Sequence, residues 1–247
     1  EREFQMAREL QVSLLPRHTP QVPGWEFAAH WQPAREVAGD FYDWIPLASG
    51  RLALVIGDVC DKGMASALFM ALSRSIIRAS LASAPSAAEG IDRANRLISA
   101  DATDGMFVTL FCALLELETG QVTYVNAGHN PPLLCKLDAA GEAPLAELMP
   151  TGMPLGIVDG FAFEQRTVDL QPGESLLLYT DGVTDATGDG QARFGMDRLR
   201  RVILDHQAES VTGMVAALER SISDFTGGTA QFDDIAILAV KRLGTST

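Results

Sequence analysis

The chain has 247 residues, 47% hydrophobic and 21% charged, the balance of an ordinary folded protein, which excludes a disordered tail, a fibrous repeat and a disulfide-stapled mini-protein. Its 19 basic and 32 acidic residues leave a formal charge of −13, the wrong sign for gripping nucleic acid or an anionic membrane through a basic face. Apolar runs fall far short of the ~20 residues of a membrane span, no amino-terminal signal pattern appears, and Cys60, Cys112 and Cys135 suit neither a disulfide framework nor a zinc site.

A reducing, cytoplasmic setting follows as the expectation, and the opening Glu1 within a helical pattern reads as an excerpt of a longer protein. Over residues 1–15, Phe4, Ala7, Leu10 and Leu14 recur at three- and four-residue steps until Pro16, predicting an amphipathic helix. It lies on its own domain or pairs with a second chain. Trp25, Phe27, Ala29 and Trp31 alternate as in a half-buried strand, and strands over 41–45 and 51–59 follow. A long helix is expected over 63–81, its Met64 and Met70 serving core packing. Ser86 and Glu89 make a capping box for another helix over 87–100. Residues 106–118 and 121–127 form a hairpin about Thr119-Gly120, with further strands at 133–137, 161–170 and 175–180. Helices over 194–206 and 211–225 and a strand over 235–241 complete the chain. Hairpins outnumber strand-helix-strand units, so the fold class is α+β, with two packed, mainly antiparallel sheets flanked by helices.

Four acidic sites share a setting: Gly39-Asp40 with Asp43, Gly57-Asp58 with Asp61, Asp181-Gly182 with Asp185, and Asp233-Asp234. Each lies at a predicted strand end or adjoining turn, where a lone Asp-Gly pair is usually just a turn. Strand ends gathered at one sheet edge would crowd several carboxylates together, and such crowding calls for a hard divalent cation, Mg²⁺ or Mn²⁺.

The run Val37-Ala38-Gly39-Asp40-Phe41-Tyr42-Asp43 resembles the G-G-D-F-Y-D signature of the SpoIIE/RsbU-type branch of the PPM, or phosphatase 2C-like, metal-dependent serine/threonine phosphatases. Gly57-Asp58-Val59 through Lys62-Gly63 with Ala67 to Ala71, Asn126-Ala127-Gly128-His129-Asn130-Pro131-Pro132, Leu178 to Asp185 and Asp233-Asp234-Ile235 are similar to its later motifs, in order. The resemblance implies an αββα sandwich with two Mn²⁺ or Mg²⁺ ions between the sheets. Asp40 and Asp58 would be the shared metal ligands, joined by the Val59 carbonyl, while Asp181 and Asp233 would complete the set of ligands around the second metal; Asp234 could exchange roles with Asp233. Asp43 and Asp185 have a plainer reading as surface or hydrogen-bonding acids. Arg35, five residues before Asp40, resembles the family's phosphate-contacting arginine. Ala38 replaces a glycine, which matters only if that position needs a positive φ, and Asp61 stands where glycine is frequent. His129 invites a general-acid role, though its surroundings have the composition of a turn. Animal and plant members carry an aspartate there, which leaves a third metal open.

The resemblance implies a metal-dependent protein serine/threonine phosphatase of bacterial signalling, hydrolysing phosphoserine or phosphothreonine with a metal-activated water, Asp40, Asp58 and Asp181 being catalytic. Its implied substrate is a phosphorylated STAS-type anti-sigma-factor antagonist in a partner-switching pathway. An upstream sensor or receiver domain, connected through a linker helix over 1–16 to a phosphatase domain over 17–247, and a homodimer through that helix belong to the same expectation. The rival readings are a two-metal phosphodiesterase and a non-catalytic metal-binding module.

Overall fold

Tight turns build the sheets. Ser49 and Gly50 take φ of 62° and 70°, closing β2 (Phe41–Leu47) onto β3 (Arg51–Val59) with Leu47 opposite Arg51. The computed structural model describes residues 2–102, 105–136, 145–188, 192–229 and 231–244. Its contacts divide the chain into two units. Residues 1–18, 35–130 and 149–169 form the first, and residues 19–34, 131–148 and 170–247 the second.

In the first unit, β4 (Val108–Glu116) pairs with β3, β5 (Gln121–Ala127) returns beside β4 with Gly120 at φ 81°, and β8 (Arg166–Asp169) borders β5. Every pairing in the order β2-β3-β4-β5-β8 is antiparallel. β3 and β4 are buried on both faces, which is why their sequences read as apolar runs rather than alternations. Helices α1 (Arg2–Leu14), α2 (Met64–Ala82) and α3 (Ala87–Asp101) belong to this unit, α2 packing on β2, β3 and α3. α3 starts as the capping box requires, the Glu89 N–H donating to Ser86 Oγ at 3.3 Å.

The structure places the faces of α1 and corrects one expectation for this unit. Phe4 and Leu10 of α1 are 42% and 67% exposed, whereas Gln11 is buried. The physical reason is that Gln11 completes two backbone hydrogen bonds of the loop at Ala38: its Nε2 donates to the Ala38 carbonyl at 2.6 Å and its Oε1 accepts the Ala38 N–H at 2.9 Å. The strand expected over 161–170 shortens to β8, because Phe163 donates its N–H to Asp92 Oδ1 at 2.9 Å on α3 instead of to a strand.

One helix, α2, is long and apolar enough by composition to cross a membrane, with half of its most apolar window buried in the protein. It carries Arg74 and Arg78 into contact with Asp43 on β2, and Met70 is fully buried, so it is built as a core helix.

In the second unit the sheet order is β1 (Trp25–Gln32), β10 (Ile235–Arg242), β9 (Ser175–Tyr179), β6 (Leu133–Cys135), β7 (Leu145–Glu147), again antiparallel throughout. β7 had no sequence signal, and position 137, at the end of the expected sixth strand, lies outside the described residues. Helices α4 (Asp181–Asp185), α5 (Gly195–Asp205) and α6 (Val211–Thr226) complete it. Phe194, Leu199, Met214 and Leu218 pack with Leu177 and Ile237 in one core. α6 is capped at both ends, by Ser210 Oγ accepting the Gly213 N–H and by left-handed Gly227 at φ 58°. Two antiparallel sheets flanked by helices are therefore the architecture, as the α+β reading expected.

Candidate functional site

Asp40 ends the loop entering β2, and Asp58 is the penultimate residue of β3. Their strands pair Phe41 with Gly57, so one further step of the register sets Asp40 alongside Asp58. Two glycines make the approach possible. A Cβ on Gly57 would lie 2.6 Å from the Phe41 ring; one on Gly39 would collide with Ser66 Oγ and lie 3.0 Å from the Val59 carbonyl oxygen. Asp40 is buried, Asp58 half-buried, and the Val59 side chain faces the core. The first unit thus brings two carboxylates and the backbone at Val59 to one place.

The second unit assembles its acids in the same way. Asp181 begins α4 directly after β9, whose end is tied to β10 by the Thr180 N–H donating to the Ala236 carbonyl and the Ala236 N–H donating to Thr180 Oγ1. A Cβ on Gly182 would overlap the Asp234 carbonyl oxygen and lie 3.3 Å from that of Asp233, so only glycine lets the Asp181 turn rest on this segment. Asp234 is buried, its Oδ1 accepting the Ala34 N–H at 2.7 Å. Asp233 is half-buried, its Oδ1 accepting the Asp234 N–H at 3.0 Å and its carbonyl accepting from Gln231 Nε2 at 2.5 Å.

Within either unit, no three His, Cys, Asp or Glu side chains among the described residues gather into a metal-holding group. The donors that do sit together are carboxylate and backbone-carbonyl oxygens, the set that suits Mg²⁺ or Mn²⁺ and not a thiolate-seeking metal. The glycine-made close approaches at Val59 and at Asp234 fit that chemistry.

The remaining candidates separate clearly. Asp43 is a hydrogen-bonding acid: Arg78 Nη1 lies 2.8 Å from both its oxygens and Arg74 Nη2 lies 2.7 Å from Oδ2. Burial pushes its carboxyl above the usual value, while the two guanidiniums pull it back only in part. Burial likewise lowers Arg74 from its ordinary value. Asp185 pairs with Arg193 at 2.9 Å. Arg35 is exposed. Ala38 is not among the residues with positive φ, so its replacement of glycine is free of strain, but Asp61 sits at φ 66°, in the left-handed region.

His129 is buried at 3% exposure, its Nδ1 2.9 Å from Thr109 Oγ1 on β4, the residue that pairs across the sheet with Asp58. The turn that delivers it is built by Asn126 Oδ1 accepting the His129 N–H at 2.8 Å and by Gly128 at φ 68° packed on Pro154. Sequence reasoning missed Thr109, which carries no motif of its own. Burial raises the Cys112 thiol to about 12 and also raises Cys60 and Cys135. None of the three is a poised nucleophile.

The sequence pattern of the family described as stage II sporulation protein E (SpoIIE) matches residues 48–243. IcfG of Synechocystis sp. is 32% identical over 97% of this chain, which spans 41% of that relative's length. Phosphoserine phosphatase RsbU of Bacillus subtilis is 26% identical over 97% of this chain and 70% of its own. Among solved structures, the RsbU and RsbW domains of a Mycobacterium tuberculosis protein share 27% identity with a TM-score of 0.76, covering 92% of this chain and 62% of theirs. The SiaA PP2C domain of Pseudomonas aeruginosa, 20% identical, has a TM-score of 0.83 over 97% of this chain and 94% of its own. The catalytic domain of serine threonine protein phosphatase PstP, in complex with 2 manganese ions, is 16% identical with a TM-score of 0.63 over 89% of this chain and 99% of its own.

Proposed function

Because the chain belongs to the SpoIIE family, we propose that it is a metal-dependent protein serine/threonine phosphatase of bacterial signalling. The observation that carries the reading is the pair of glycine-cleared approaches, which bring Asp40 and Asp58 against Val59 and Asp181 against Asp233-Asp234.

Asp40, Asp58 and the Val59 carbonyl, with Asp181 and Asp233, hold two Mn²⁺ or Mg²⁺ ions, of which Asp40, Asp58 and Asp181 are the acids most needed for turnover. Asp233 is kept as the ligand on the family resemblance, with Asp234 as its alternative, since the carboxylate of each already accepts one backbone N–H. When bound, the ions supply the positive field that a phosphate dianion needs near a chain of charge −13, and they acidify a water for in-line attack at phosphorus. Arg35, exposed at the start of the Asp40 loop, clamps two phosphate oxygens.

The domain over 17–247 is the phosphatase, working in the cytoplasm on a phosphorylated STAS-type anti-sigma-factor antagonist; the similarity to a protein named phosphoserine phosphatase RsbU supports a phosphoserine substrate. The helix over 1–16 links it to an upstream sensor or receiver domain and to a second copy of the chain. Exposed Phe4, Met6, Leu10 and Val12 on α1 support the pairing, and the Gln11 bonds to Ala38 support a route from that helix to Asp40.

A p-nitrophenyl phosphate assay with added Mn²⁺ tests the class. Activity is expected in the parent and absent in Asp40→Ala and Asp181→Ala, with a phosphoserine protein competing and a cyclic dinucleotide not. Full activity in both variants, or competition only from the dinucleotide, refutes the reading.

A further inference from the structure

Thr109 Oγ1 contacts two groups at once: His129 Nδ1 at 2.9 Å and the Asp58 carbonyl oxygen at 3.5 Å. A hydroxyl has a single proton. If the His129 Nδ1–H donates to Thr109, that proton is left to reach the Asp58 carbonyl, and the three groups form one chain, His129 to Thr109 to the Asp58–Val59 peptide. Asp58 and Thr109 are cross-strand partners, so the contact falls on the peptide that precedes the Val59 carbonyl.

The backbone that carries the imidazole is held as firmly. The main-chain N–H of His129 donates to Asn126 Oδ1, Asn126 is fully buried, and a Cβ on Gly128 would press within 2.7 Å of Pro154. With its backbone fixed, the ring is 3% exposed and rests on Thr109, so it can fix what it touches. We propose that His129 is a positioning residue, which through Thr109 sets the orientation of the Asp58–Val59 peptide and thereby the affinity for the divalent ion. The proposal rests on Asp58 and Val59 being metal ligands, as read above. Groups that orient ligands in this way are typically worth about 10–100-fold in metal affinity.

The test is Mn²⁺ binding to the metal-free protein, measured by titration calorimetry, together with unfolding of the metal-free forms. Thr109→Val, which keeps the shape and removes the hydroxyl, is expected to weaken Mn²⁺ binding about 10-fold. Thr109→Ser should bind as the parent does. His129→Asn should match Thr109→Val, and the double variant should be no worse than either, since one chain is cut twice. In turnover assays the Mn²⁺ requirement rises while kcat at saturating Mn²⁺ holds. Parental Mn²⁺ affinity in Thr109→Val and His129→Asn overturns the proposal. So does a fall in kcat at saturating Mn²⁺ with affinity unchanged, which would make His129 a catalytic residue. A parent that binds no Mn²⁺ sinks the metal reading itself, a result distinct from both.

Discussion

Removing the Asp43 carboxylate should destabilise the protein far more than removing one of its partners, and the difference follows from burial. The side chains of Asp43 and Arg74 are 2% and 10% exposed, whereas that of Arg78 is 44% exposed. Asp43→Ala leaves the Arg74 guanidinium in the interior without a counter-charge, a change that costs about 3–5 kcal/mol. For a chain of this size that lowers Tm by on the order of 10 °C. Arg78→Ala removes only a half-solvated contact, worth about 1 kcal/mol or less. The raised Asp43 carboxyl and the lowered Arg74 show that burial outweighs the attraction between them. Replacing both by apolar groups, Asp43→Leu with Arg74→Met, is therefore expected to recover the parental stability or exceed it. Urea unfolding of the four proteins decides the matter. Equal losses for Asp43→Ala and Arg78→Ala, or a double replacement worse than Asp43→Ala, would refute the reasoning.

The same carboxyl sets a pH dependence: since folding raises its pKa, the folded state holds the proton more tightly. Its contribution is present in acid, below the unfolded carboxylate value, and is lost as pH rises through the raised folded value. The stability of the parent relative to Asp43→Asn should thus decline on going from acid toward neutral pH in parallel urea series, and a rise would contradict the raised direction. Asp61→Gly should stabilise by about 0.5–1 kcal/mol in the same assay, by relieving the left-handed backbone at φ 66°, and a loss would mean the Asp61 side chain serves another purpose. Gly182→Ala should impair folding or abolish phosphatase activity, because its Cβ has no room beside Asp234; a fully active variant would show that the α4 turn can yield. In the native protein at pH 8, Cys112 should resist a thiol reagent that labels half-buried Cys60, and equal labelling would contradict the thiol raised to about 12.

What the sequence made legible was local. Ser86 and Glu89 bracket their helix because a capping box acts within one turn, and Thr119-Gly120 closes its hairpin because φ 81° suits glycine. Gly39, Gly57 and Gly182 stand beside acids for a reason that is also short in range, the absence of a Cβ. The rest needed distant partners. Asp43 could not be assigned from its motif, since what settles its role is a pair of arginines more than thirty residues away on α2. Nor does periodicity foresee that Gln11 is buried and Leu10 exposed, since a helix pattern scores hydrophobicity and is blind to a backbone that needs two hydrogen bonds. Thr109 mattered only once the β3–β4 register put it across from Asp58.

The Gln11 clasp is indifferent to the side chain it meets, since both of its bonds run to main-chain atoms of residue 38, so alanine there serves as well as glycine. It is far from indifferent to the angle of α1. Turning that cylinder by one residue, about 100°, would offer Leu10 or Val12, neither of which has a donor or an acceptor, and both bonds would break together. The grip on residue 38 is therefore made or lost as a pair of bonds rather than weakened by degrees.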